Sequence, residues 1–564
     1  MTEHLKTDQD LGNRLMRKQW KTTATALSCC SAVLLSIGNL GASSGDACPG
    51  SFTKQERVSI RAVAKPPYNR MFREPGFKSR IRRITNTAPG EVIRPAGGAV
   101  QAWNIDESLL LLHGYGGSPG PRLLDGLDYK PMATLPLPLG DSAARADIFW
   151  SSDAPRELYY IAGSGENNGK LVRHSLESNS DEMLSDPGTR CKGAGYDPDS
   201  LRMVKPLGND DTFFFRCGND TGGLLLAWHR EDDSYAERKI EDAPPSDALP
   251  LPSHDGSKVV FQGVAMDRAL EDSPGELDLS DRNTAVTIGE GRTGTPVLWH
   301  AAQHEAPRRC NDDMWGGVGL LVEYPLDTGN CRNVISPTDG YPEPGADYSL
   351  SSGSLAQPRL LAMTNMAYDE QSWYLNGKPA PLLNGEIVTL DGTVGEASVC
   401  RLAHHRSFGR EAGNAEGYDP ILAEPAVTLS PRASRLLFAS DWYDSGSVDT
   451  YVIELPNHAI LNVAGLWRDR DYPSIFTRIE QTGSSLSLER QTESTGGIPA
   501  FKSRGEGRTD GYEVRFTYET QYANDVRATG TCSGKSNAKA ESITLRCEDS
   551  FIGDVRTILI RQEE

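Results

Sequence analysis

Along most of the chain, short apolar runs rich in β-branched and aromatic residues alternate with polar positions, and Gly, Pro, Asp or Ser cuts them at close intervals. That pattern predicts antiparallel strands rather than helices. One phrase recurs: a polar turn carrying Asp, Pro, Ser or Gly, then a short apolar run ending at a small residue. It reads AWNIDESLLLLHG from Ala102, FWSSDAPRELYYIAG from Phe149, PSHDGSKVVFQG from Pro252 and LSPRASRLLFAS from Leu429, with looser copies GNDDTFFFRCG from Gly208 and SLSSGSLAQPRLLAM from Ser349. After most copies comes a second strand pattern, as in GLLLAWHRED and VDTYVIELP. Four-stranded units repeated about an axis make a β-propeller, and six copies predict six or seven blades. A ring closes by pairing its two chain ends, so SRIRRITN, residues 79–86, is expected to be the outer strand of the last blade. Residues 264–313, rich in Asp, Gly and Arg, read as a long insertion in the fourth copy.

The pattern changes at both ends. Near the start, Lys6, Arg14, Arg17, Lys18 and Lys21 precede the apolar stretch ATALSCCSAVLLSIGNLGA, which Gly38 and Asn39 interrupt early for a membrane span. A signal peptide over 1–42, cut after Ala42, is the expectation, with a tail over 43–78 and the propeller over 79–458. No membrane span is expected once the signal is removed, and a lipid on Cys48 is the alternative anchor. From 462 to 564 several short alternating segments, such as YEVRFTYETQY, predict a small antiparallel β-barrel or sandwich. The fold class is therefore all-β.

Two family resemblances attach to these residues. PSHDGSKVVFQG and LSPRASRLLFASDW resemble the turn-and-strand repeats of TolB-like and WD40-like propellers of exported bacterial proteins, over roughly residues 80–456. The G-x-W at Gly465 and Trp467, followed by a Q-x-G turn, resembles small lipocalin-like domains, which implies that Trp467 plugs the barrel base.

Charge narrows the partners. Lys plus Arg is 58 and Asp plus Glu is 77, a net of −19, and loss of residues 1–42 leaves −21. Nucleic acid is repelled except at a local basic patch. Eight cysteines remain after the signal, an even number that suits a periplasmic or extracellular compartment. Cys191 with Cys217, Cys310 with Cys331 and Cys532 with Cys547 lie close in sequence, which leaves Cys48 for Cys400.

Candidate chemistry is sparse. HAAQHEAP carries His300, Gln303 and His304 between Trp299 and Trp315, and RLAHHRS carries His404, His405 and Arg406. The first lacks the H-E-x-x-H order of a zinc protease, and its tryptophans suit a sugar surface as well as a core. A resemblance to oligogalacturonate lyase propellers implies metal-binding His and Gln at the rim of the central channel, with Arg401, Arg406 and Arg410 beside an acidic sugar. Gly-rich GYGGS, GSGENNG and EGRTGTP fit neither a nucleophile elbow nor a phosphate loop. The expected function is a binding or interaction module for a protein or carbohydrate ligand, without a cofactor. The alternative is a lyase-like enzyme on acidic sugars that uses a divalent metal.

Overall fold

In the computed structural model, each copy of the recurring phrase supplies the first turn and second strand of an antiparallel sheet. The structure describes residues 58–562 apart from 98–99, 117–118, 140–146, 220, 242–248, 278–284, 302–320, 336–347, 367–381, 410–419, 456–462, 483–484, 493–499, 511–512, 524 and 537–540. The chain divides after Ser43, and all that follows concerns the unit Ser44–Glu564.

Seven sheets form the blades of a propeller. Blades 1 to 6 span residues 92–134, 148–185, 202–240, 251–276, 285–335 and 348–404, each with four strands in sequence order. Blade 7 combines Thr428–Leu429, Arg435–Ser440 and Asp449–Glu454 with two strands from the other chain end, Arg80–Arg83 and Met71–Arg73. Arg80 pairs with Glu454 and Arg83 with Tyr451, so the strand expected to close the ring does so. Asp449 fastens the junction, taking Lys65 at 2.7 Å, Arg83 at 3.1 Å and the Thr85 hydroxyl at 2.7 Å.

The expected insertion at 264–313 is not one. Val264–Asp267 and Asp272–Glu276 complete blade 4, while Ala285–Glu290 and Pro296–Ala301 begin blade 5; residues 302–313 lie outside the described part. The blade 5 turn is EGRTGT, with Gly294 at φ +77°, and lacks the Asp-containing phrase of blades 1 to 4. The outer strand of blade 4 contains Pro274, which reads locally as a turn.

Each blade lies between two others, so its central strands are apolar on both faces. Phe213, Phe214, Phe215, Leu224, Leu225 and Leu226 are all buried in one cluster of blade 3. After blade 7, Gly465–Asp469 begins a closed barrel of eight antiparallel strands that ends with Gly553–Arg561, paired back through Trp467 and Arg561. Here alternation is strict: Leu486 and Leu488 point into the core with Phe516, Leu545 and Leu559, while Ser487 and Glu489 face out. Trp467 is wholly buried, and its indole N–H donates to the Val463 carbonyl at 2.9 Å. Gly530 is required because a Cβ there would lie 2.4 Å from the Tyr518 ring.

Disulfides join Cys191 to Cys217 and Cys532 to Cys547. Cys331 and Cys400 are also disulfide-bonded, whereas Cys48 and Cys310 lie outside the described residues. Cys191 sits on the short helix Pro187–Gly193, capped by Asp186. No helix among the described residues is long and apolar enough to cross a membrane.

Candidate functional site

The turns between first and second strands of neighbouring blades are laced together. Asp210 of blade 3 accepts from Ser151 and Ser152 of blade 2, Asn104 of blade 1 donates to the Pro155 carbonyl, and Gly208 donates to the His254 carbonyl of blade 4. Glu107 of blade 1 accepts from Arg435 at 2.5 Å, from the Ser434 hydroxyl at 2.8 Å and from the Arg432 amide at 3.0 Å, all on blade 7. Ser354 and Leu355 of blade 6 both donate to the Pro431 carbonyl of blade 7.

All seven blades contribute to one cavity inside this ring of turns, which places it on the propeller axis. Gln101, Trp150, Lys205, His254, Ser352 and Pro431 are among its walls. Its volume is about 70 Å³. That holds a few waters, far short of the several hundred Å³ of an ordinary ligand pocket.

The ionisable groups around the cavity are already engaged. Lys205 Nζ lies 2.5 Å from Asp210 and donates to the carbonyls of Pro206 and Asn209. Burial would raise the Asp210 carboxyl, but Lys205 and Ser151 overcome it and hold the group at about 2. Burial pushes His254 down to about 4, so it is neutral at pH 7. The axis is therefore a plugged, internally neutralised core.

A larger opening lies where the barrel meets the turn face of the propeller. The Arg432 guanidinium donates to the Ser536 carbonyl of the barrel at 2.9 Å. Beside this contact is a cleft of about 550 Å³. Its propeller wall is Ile105, Asp106, Ser152, Asp153 and Pro155, from blades 1 and 2. Its barrel wall includes Ser533, Lys535, Ser536, Ser542, Thr544 and Arg546. Ile105 lines the axial cavity as well, so the cleft lies next to the channel mouth. Asp153 and Lys535 have no side-chain hydrogen bond or ion pair among the described residues. Hydroxyls, the carboxylates of Asp106, Asp153 and Glu541, and the cations Lys535 and Arg546 suit a polar ligand held by hydrogen bonds.

The residues singled out by sequence lie elsewhere. Trp299 and His300 are buried in the second strand of blade 5, where Gly289 and Gly392 leave room for the indole and its N–H reaches Glu323 at 3.3 Å. Gln303, His304, Trp315 and Arg410 lie outside the described residues. His404 ends the outer strand of blade 6, and His405 and Arg406 follow it, all three buried at the seam with blade 7. Arg406 pairs with Glu74 at 2.7 Å and lies over the Trp442 ring, and His404 Nδ1 faces Glu74 at 3.8 Å. Against the burial that would raise it, the Arg406 guanidinium and the contact with His404 hold Glu74 at about 2. His405 accepts from the Ser407 amide through Nδ1 and donates to the Asn365 carbonyl through Nε2; burial lowers it to about 3. Arg401 pairs with Glu386, both buried. These side chains join blade 6 to the N-terminal strands of blade 7, away from the channel rim. The cleft residues were missed, although several stand within or beside the recurring turn phrase, as in NIDES and SSDAP.

No family model matches this chain, and no curated protein does. Among solved structures, a post-proline cleaving enzyme from Rickettsia typhi aligns at 11% identity over 69% of this chain, which spans 57% of that one, with a TM-score of 0.29. An auxiliary nutrient binding protein from Bacteroides thetaiotaomicron aligns at 8% identity, over 65% and 72% of the two chains, with a TM-score of 0.28. A eukaryotic initiation factor aligns at 9% identity, over 81% and 98%, again at 0.28. Likenesses this distant carry no argument about function.

Proposed function

We propose that this is an exported, TolB-like propeller protein that acts as a binding module, and that a carbohydrate ligand occupies the cleft between the barrel and the propeller's turn face. The observation that carries the reading is the contrast in volume and engagement between the two openings. The axial cavity of about 70 Å³ is closed and its charges are paired, whereas the cleft of about 550 Å³ offers, among serine and threonine hydroxyls, Asp153 and Lys535, which make no side-chain hydrogen bond or ion pair among the described residues. Ligands favour junctions between domains, where two walls supply convergent polar groups. The disulfides of both domains support an oxidising compartment.

The test is calorimetric titration of the intact protein with neutral and uronic-acid oligosaccharides, beside the double variant Asp153→Ala/Lys535→Ala. Loss of affinity of roughly tenfold or more is expected, from one or two hydrogen bonds to charged groups. Unchanged binding in the variant would remove the cleft from consideration.

A further inference from the structure

Four arginines stand in one line across the barrel. Arg508 is directly opposite Arg515 on the next strand, Arg515 opposite Ser533, Ser533 opposite Arg546, and Arg546 opposite Arg556. All four are exposed, because their strand neighbours Thr509, Phe516, Cys547 and Thr557 point into the barrel. Adjacent strands are about 4.8 Å apart, and like charges directly opposite one another disfavour the pairing. The row contains two such pairs.

Arg508, Arg546 and Arg556 make no ion pair among the described residues, although Glu506, Glu548 and Asp554 stand two residues along the same strands. Carboxylates are not scarce, since the chain has 77 acidic residues against 58 basic ones. Two positions of the row, Ser533 and Arg546, also line the cleft.

We propose that the row is a polyanion-binding track and that its ligand is an acidic polysaccharide, bearing carboxylate or sulfate groups, which leaves the cleft at Ser533 and Arg546 and continues around the barrel. The ligand's path rests on the cleft reading; the charge of the row does not. The row crosses five of the eight strands of a closed barrel, so it wraps about half the circumference. A flexible chain can follow that curve, whereas a flat bilayer cannot reach all four guanidiniums. No position of the row is aromatic, so the stacking platform used for single-stranded nucleic acid is absent from it. The hydroxyls of Ser533, Thr517 and Thr531, in and beside the row, suit sugar hydroxyls instead.

Carboxymethyl dextran, dextran sulfate and unmodified dextran share a backbone and differ in charge. Titration of the intact protein over a range of NaCl should show binding of the two charged polymers, weakening with salt, and none of unmodified dextran. Arg546→Ser/Arg556→Ser and Arg508→Ser/Arg515→Ser should each lower affinity about tenfold and reduce the salt slope by about 2, one for each lost contact. Their melting temperatures should not fall. Binding of unmodified dextran with equal affinity, arginine variants that bind as the parent does, or tighter row-dependent binding of single-stranded DNA or phosphatidylserine vesicles would each overturn the proposal. If the arginine variants lose binding while Asp153→Ala/Lys535→Ala keeps it, the track stands and the cleft reading falls. The reverse result removes the track alone.

Discussion

The propeller and the barrel use the same kind of strand and opposite treatments of charge. In the propeller, Arg406 with Glu74 and Arg435 with Glu107 are almost wholly buried pairs across seams between blades, and Arg401 with Glu386 and Lys205 with Asp210 are buried pairs within blades 6 and 3. In the barrel, Arg490 with Asp469 is a partly buried pair, while Arg478, Arg504, Arg508, Arg515, Arg546 and Arg556 face solvent. Residues 465–561 hold 14 basic and 14 acidic side chains, so the net −19 resides in the rest of the chain. A blade enclosed by two neighbours can admit a cation only with its partner, and such pairs then help to specify which blade meets which. A small barrel keeps one apolar face inside and leaves the other free for a ligand. On the proposed reading, the propeller's charges serve assembly and the barrel's serve recognition.

The comparison breaks most directly at Glu107. Its replacement by Ala leaves Arg435 buried and the Arg432 amide without its acceptor, so the propeller should lose about 3–5 kcal/mol in calorimetric unfolding. The barrel transition should stay where it was. Equal loss in both would mean that they do not unfold as separate units.

The disulfide is the barrel's counterpart. Cys532 and Cys547 are 15 residues apart, and on the chain-entropy model Cys532→Ser/Cys547→Ser costs about 3 kcal/mol. The loss should appear in the barrel transition and leave the propeller unchanged.

Acidity sharpens the contrast within the propeller. Burial raises Asp441 from 3.8 to about 6, against amide donors at Phe408, Asp444 and Gly409. Between those values the folded chain holds a proton at Asp441 that the unfolded chain has lost, so the contribution of Asp441 itself falls as pH rises from about 4 to 6, by roughly 3 kcal/mol. Glu74 and Asp210 work in the opposite sense: both are held at about 2, so their contribution is complete above their unfolded values and is lost as pH falls towards 2. Burial lowers His113 and His254 to about 4 and His405 to about 3, so these three add stability as pH rises towards 6.5 and outweigh Asp441. Urea midpoints measured from pH 2 to 7 should therefore rise throughout, and Asp441→Asn should steepen the rise between pH 4 and 6.

The smallest expected effect carries the opposite sign to the first. Arg556→Ser removes one like-charge pair and should leave barrel stability unchanged or raise it by a few tenths of a kcal/mol. A clear loss would show that the row is structural.

The architecture was legible in the sequence because each blade repeats a local signal. The Asp-containing turns at Asp106, Asp153 and Asp255 mark three second strands, and the alternation from Leu486 to Phe516 marks the barrel. Blade 5 escaped because a Gly-rich turn replaces that phrase and Pro274 disguises the preceding strand. The site was hardly legible. His404, His405 and Arg406 look like ligands in the text, and only pairing with Glu74, 332 residues away along the chain from Arg406, makes them seam residues. The arginine row is equally hidden, since its members are spread over residues 508–556 and only the strand register aligns them.

Hydrogen–deuterium exchange of the intact protein with and without carboxymethyl dextran tests the central claim, that the ligand lies between barrel and propeller. Protection is expected at residues 105–106 and 152–155 on the propeller and at 533–536 and 542–546 on the barrel, the two walls of the cleft. Protection confined to one wall, or to the blade 6–blade 7 seam around residues 404–406, would contradict the account.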